Sequence, residues 1–145
     1  MVKLKTSTLR LENNWRFRSI ESLEKKNFGP VPKDESSIVT RLWRLRQTPI
    51  NEFEVDDIRF MILQGVGLTY LLIEAIVLLE KKLLTEGNYY EGDLLNSVLQ
   101  LNRQQWGHVR EHWYKVDALI KNHLDFLQTI RPKLEIDNFY NNRPM

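Results

Sequence analysis

Asn51-Glu52-Phe53-Glu54-Val55-Asp56-Asp57 leads into an apolar stretch from Ile58 to Leu84. That stretch ends on Glu86-Gly87-Asn88-Tyr89-Tyr90-Glu91-Gly92-Asp93. This central segment decides the fold. A helix is expected to start near Glu54, where Asp56 and Asp57 meet the positive end of the helix dipole. It should stop at Gly65-Val66-Gly67, where glycine supplies a left-handed cap. Residues 68–84 then run apolar on almost every face, through Leu71, Leu72, Ile73, Ile76, Val77, Leu78 and Leu79. A helix of that kind belongs in the middle of a domain. Gly87 ends it, Gly92 marks a second turn, and Asp93 is expected to cap a short helix through Leu101.

Working toward the N-terminus, Ile38, Leu42 and Leu45 form a helical stripe with Val39 and Trp43 beside them. The spacing predicts a helix from an Asp34 cap to about Gln47, closed by Pro49. Ser19 is expected to cap a short helix over Ile20 to Glu24, followed by an extended link held by Pro30 and Pro32. Residues 1–18 read as a weakly ordered basic arm, with Leu9, Leu11, Trp15 and Phe17 spaced for a short edge strand. Toward the C-terminus, Trp106, Val109, Trp113, Val116, Ile120, His123 and Leu127 repeat at three and four residues. That seam predicts one long helix from about Arg103 to Thr129, with Pro132 opening a tail over residues 132–145. The expected fold is all-α, a single-domain bundle of about five to six helices with a long C-terminal helix. Residues 19–131 would form its body.

Composition narrows the function. The chain has 145 residues, 42% hydrophobic and 28% charged, with no cysteine. A disulfide framework and a thiolate metal site are therefore excluded. The apolar run from Phe60 to Ile73 is broken by Gln64, Gly65 and Gly67, well short of the ~20 residues a membrane span needs. Net charge is +2, but it is unevenly placed: +4 over residues 1–18, +2 over 19–49, −6 over 50–93 and +2 over 94–145. Fields at a surface come from such local excess.

Five patterns invite a chemical reading. His108-Val109-Arg110-Glu111-His112 matches the H-x-x-E-H spelling of inverted zinc peptidases. The remaining histidine, His123, lies roughly 16 Å further along a helix and cannot share that metal. The match is read as coincidence, the histidines flanking the apolar seam. The acidic residues Glu52, Glu54, Asp56 and Asp57 suit a helix start or a partner surface better than an acid–base pair. Gly65-Val66-Gly67 lacks the following Lys-Ser/Thr of a phosphate loop. Arg41, Arg44 and Arg46 with Trp43 offer a nucleic-acid face or a solvated helix flank. Tyr89 and Tyr90, set among glycines and acids, either cover the end of the core or anchor an interface.

Three pieces of the chain carry a resemblance. They are Arg44-Leu45-Arg46-Gln47-Thr48-Pro49-Ile50-Asn51-Glu52-Phe53, Val55-Asp56-Asp57-Ile58-Arg59-Phe60-Met61-Ile62-Leu63-Gln64-Gly65-Val66-Gly67-Leu68, and Glu86-Gly87-Asn88-Tyr89-Tyr90-Glu91-Gly92-Asp93-Leu94-Leu95. They resemble the small immunity proteins of bacterial contact-dependent growth inhibition systems, a likeness that runs from Ser19 through Leu99. Glu54 departs from the pattern, standing where a threonine-type cap is expected and weakening that cap.

The resemblance implies a cytoplasmic antidote without catalytic activity or cofactor. Its partner would be the C-terminal toxin domain of a large secreted effector, often a nuclease, blocked by stoichiometric occlusion. The charge map fits, because carboxylates can occupy a cleft lined with phosphate-binding cations and hasten encounter. The expected electrostatic contacts are Glu52, Asp56, Asp57, Glu86, Glu91 and Asp93, with Tyr89 and Tyr90 as anchors. No membrane and no direct nucleic-acid partner is expected. The alternative is a small helical nucleic-acid-binding regulator using Arg41, Arg44, Arg46 and the basic arm.

Overall fold

A computed structural model describes residues 11, 13–33, 36–130 and 134–145. The described residues are mostly helical, and their one β-type contact is an isolated bridge between Ser19 and Pro49. The chain groups into two compact units, residues 1–53 and 54–145, where a single bundle was expected. The physical break is local. Pro49 opens a 3-10 turn over Ile50–Glu52, and Phe53 and Glu54 then run extended before the next helix begins.

The first unit contains α1 (Ile20–Glu24) and α2 (Ser37–Arg46), flanked by 3-10 turns at Trp15–Phe17 and Ile50–Glu52. Ser19 caps α1 as its sequence suggests, its hydroxyl accepting the Ser22 N–H at 3.1 Å. Ser36 does the same for α2, accepting the Val39 N–H at 3.2 Å. Asp34, the expected cap, lies outside the described residues, as do residues 1–10 and residue 12 of the expected arm. The described end of that arm forms the 3-10 turn with Trp15 buried, in place of the edge strand. Among its described residues, Trp15, Ile20, Leu45 and Ile50 are the buried apolar ones.

The second unit is built around α3 (Val55–Leu63), α4 (Leu68–Lys81) and α5 (Asp93–Leu99). The Glu54 N–H is taken by Asp57 Oδ2 at 2.9 Å, so the start of α3 is capped from inside its own first turn. This offsets the weakness expected from glutamate at the cap position. Gly65 and Gly67 both adopt positive φ, +72° and +69°, and reverse the chain from α3 into α4. α4 packs on α3, α5 and the later helix over Arg110–Asn122 and buries Leu71, Leu72, Ala75, Ile76 and Leu79, while Val77 remains exposed. The centre of the unit is α5. All seven of its residues are buried, and its packing on α3 is the most extensive between any two described helices.

The expected long C-terminal helix is three shorter ones: α6 (Arg103–Gly107), α7 (Arg110–Asn122) and α8 (Leu124–Leu127). Gly107 weakens a helix interior by about 1 kcal/mol against alanine. Beyond it Val109 leaves helical geometry at φ −137°, ψ 48°. At the second break His123 competes with its own backbone. Its ring Nδ1 lies 2.9 Å from the Leu119 carbonyl, so its N–H turns to Ile120 O instead.

Residues 134–145, expected as a tail, are also folded. They include α9 (Ile136–Asn141), whose Phe139 is fully buried. Phe139 stacks on Trp113 with centroids 4.8 Å apart and meets Trp106 edge-on at 5.6 Å. Arg103 fastens the segment by donating to the carbonyls of Asn141 at 2.7 Å and Arg143 at 3.1 Å.

Candidate functional site

The last part of the link between α4 and α5, a loop over residues 86–92, is held by two buried carboxylates. Asp56 projects from the first turn of α3, and Asp93 is the first residue of α5. They are 5% and 4% exposed, and Arg59, 7% exposed, lies between them. Arg59 Nε donates to Asp56 Oδ1 at 2.5 Å and Nη2 donates to Oδ2 at 3.2 Å, while Asp93 Oδ2 is 4.0 Å from Nε. Carboxylates buried in this way are stable inside a protein only if hydrogen-bond donors and cations meet them.

The loop supplies those donors from its main chain. The Gly87 N–H reaches Asp93 Oδ1 at 2.6 Å, and the Tyr89 and Tyr90 N–H groups reach Asp93 Oδ2 at 3.0 and 3.4 Å. The Asn88 N–H reaches Asp56 Oδ1 at 2.9 Å. Hydrogen bonds to a charged acceptor are stronger than neutral ones, so four consecutive amides are gripped. Gly87 permits the close approach: a Cβ there would stand 2.7 Å from Asp56 Oδ1 and 3.2 Å from Asp93 Oδ2. A side chain there would force the loop or the Asp56 carboxylate to shift.

What the loop shows to solvent follows from this grip. Glu86 and Glu91 are exposed, and Tyr89 is 69% exposed with one face over the Arg59 guanidinium at 4.5 Å. Of the residues expected to contact a partner, the structure brings Asp56, Asp93, Tyr89 and Tyr90 together. The carboxylates of Asp56 and Asp93 are engaged inside the molecule, where exposed charges were expected. Asp57 is half-buried at the start of α3. Glu52 is exposed in the 3-10 turn of the other unit. Tyr90 is half-buried, its hydroxyl accepting from Asn96 Nδ2 at 2.8 Å.

Sequence reasoning missed Arg59, which reads as the border of an apolar run, and Asn96. Two signals pointed to them. Asp56 and Arg59 stand at i, i+3, a spacing that pairs charges on a helix, and Asn96 interrupts an otherwise apolar helix.

The other patterns have local explanations. Arg46 lies over the rings of Phe28 and Trp43, at 4.1 and 4.9 Å, and Arg44 is exposed. In the H-x-x-E-H run, His108 and Glu111 are exposed whereas His112 is buried. Among the described residues no group of three or more His, Cys, Asp or Glu side chains is placed to hold a metal ion. His112 instead ties α7 to the first turn of α4, its Nε2 lying 3.1 Å from the Thr69 carbonyl. A carbonyl only accepts, so Nε2 carries the proton, and Nδ1 is buried without a hydrogen-bond partner.

Burial lowers the His112 pKa below its ordinary 6.5, and Lys115 lowers it further against the opposing pull of the Thr69 carbonyl and Glu111. The folded state therefore holds the ring neutral while the unfolded chain takes a proton near pH 6.5. Its contribution to stability is complete above that pH and is lost as pH falls toward the folded-state value. Urea midpoints measured from pH 7.5 to 5 should fall more steeply for the wild-type chain than for His112→Asn. Parallel curves would remove His112 as the source of acid sensitivity.

Among the described residues no helix is long and apolar enough to cross a membrane. No curated protein matches the sequence. The family model of CDI (contact-dependent growth inhibition) immunity proteins matches residues 22–116, which run from within α1 through α6 into the first half of α7 and include the carboxylate-held loop. On that match, over well more than half of its length, the chain belongs to the CDI immunity proteins.

Proposed function

We propose that this immunity protein neutralises its cognate toxin domain by stoichiometric occlusion, presenting the 86–92 loop to the toxin's cationic cleft. The observation that carries the reading is the grip of Asp56 and Asp93 on four consecutive loop amides. A loop fixed in this way loses little conformational freedom on binding, which favours affinity. Glu86, Tyr89 and Glu91 are the direct contacts. Asp56 and Asp93 position them, and Asp57 adds negative charge at the start of α3. The toxin is a nuclease: such enzymes hold phosphates with lysine and arginine, and carboxylates on the inhibitor take the phosphates' place. The protein acts in the cytoplasm, one molecule per toxin and without turnover.

Stopped-flow association with the co-encoded toxin domain tests this. The double variant Glu86→Lys, Glu91→Lys should associate about tenfold or more slowly at low salt, with a flattened salt dependence. Wild-type protein should abolish nucleic-acid cleavage by the toxin at an equimolar ratio. Association rates unchanged by the double charge reversal would place the contact elsewhere.

A further inference from the structure

The loop has a second support, and it comes from beyond the region matched to the family. Asn96 is buried on α5, one turn after Asp93. Its Oδ1 accepts the backbone N–H of Glu135 at 2.8 Å, and its Nδ2 donates to the Tyr90 hydroxyl at 2.8 Å. A backbone N–H only donates, so its partner atom on Asn96 must be the oxygen, and the amide nitrogen must face Tyr90. Glu135 leads into α9, where Asn138 Nδ2 donates to the Leu99 carbonyl at 2.9 Å at the far end of α5. Phe139 then anchors α9 between Trp106 and Trp113. A buried amide in an apolar helix is destabilising unless both its ends are bonded, and both ends of this one are.

We propose that Asn96 is a positioning residue for toxin binding and relays the C-terminal segment's hold to the loop through Tyr90. This rests on the reading of the loop as the toxin contact. Tyr90 is thereby fixed at two points, its N–H by Asp93 and its hydroxyl by Asn96. Its neighbour Tyr89, facing outward, inherits a fixed backbone. Residues 134–138 thus shape the contact surface without forming part of it.

Two substitutions cut the relay at different links. Tyr90→Phe removes only the hydroxyl acceptor. Glu135→Pro removes the N–H that orients Asn96, at a residue whose φ of −83° is close to proline's own. In each, amide hydrogen exchange of residues 86–92 in the free protein should quicken about tenfold, while α4 and α7 keep their protection. Affinity for the toxin domain should drop several-fold, through a faster dissociation rate. A general loss of stability would instead raise exchange throughout the second unit. Unchanged loop exchange and unchanged affinity in Tyr90→Phe would overturn this inference while leaving the loop reading intact. Unchanged association in Glu86→Lys, Glu91→Lys would overturn the loop reading itself.

Discussion

Replacing Arg59 with methionine should lower the stability of the protein by about 3–5 kcal/mol, read from equilibrium urea denaturation. Methionine keeps most of the aliphatic volume, so the loss isolates the charge. Without the guanidinium, Asp56 and Asp93 remain buried and lose the cation they share. Breaking a buried ion pair is far more damaging than never having had one, because the orphaned charge stays behind. Arg59→Lys should recover only part of the loss, since an ammonium cannot reproduce the two-pronged bond to Asp56. Neutralising the carboxylates in the same chain, with Asp56→Asn and Asp93→Asn, should restore part of the stability that Arg59→Met removes. A loss below about 1 kcal/mol for Arg59→Met, the range of exposed pairs, would mean that water reaches the cluster.

Phe139→Ala should be comparably damaging, at about 3–5 kcal/mol, because truncating a fully buried phenylalanine leaves a cavity as well as losing apolar contact. Phe139 is enclosed by the faces and edges of Trp106 and Trp113, and Tyr140 beside it donates to Asp117 at 2.7 Å. Burial and the bond to Asp117 both raise the Tyr140 pKa above its ordinary value, so this hydroxyl stays protonated. Stability of a domain this size is of order 5–15 kcal/mol, so a single change in the last ten residues would remove a large share of it. A loss under about 1 kcal/mol would show that residues 134–145 are dispensable packing.

These two positions also show where the sequence was legible. Signals confined to one turn of chain were readable: the Ser19 cap, the acidic start of α3, the glycine pair at 65 and 67, and the apolar helix α4. The surroundings of Asp56 were not. Acids in a first helical turn normally face water, and its burial depends on an amide at Asn88, 32 residues away in the chain. The loop itself stood out through its glycines and tyrosines, yet the reason for Gly87 is a close approach by two carboxylates that no local pattern encodes. The seam from Trp106 to Leu127 continued smoothly in apolar spacing, and spacing does not register a histidine ring competing for a carbonyl. α9 left a short trace, Ile136, Phe139 and Tyr140 at helical intervals, too brief to outweigh the proline before it.

Because the carboxylates hold main-chain N–H groups, the shape of the 86–92 turn is independent of what Glu86, Asn88 and Glu91 carry beyond their Cα atoms. Those three outward positions can be rewritten in sign, size and polarity while the scaffold beneath them stays constant. On the proposed reading of the loop as the toxin contact, a lineage of such antidotes can then follow a changing adversary by altering a few codons, with no need to refold its core.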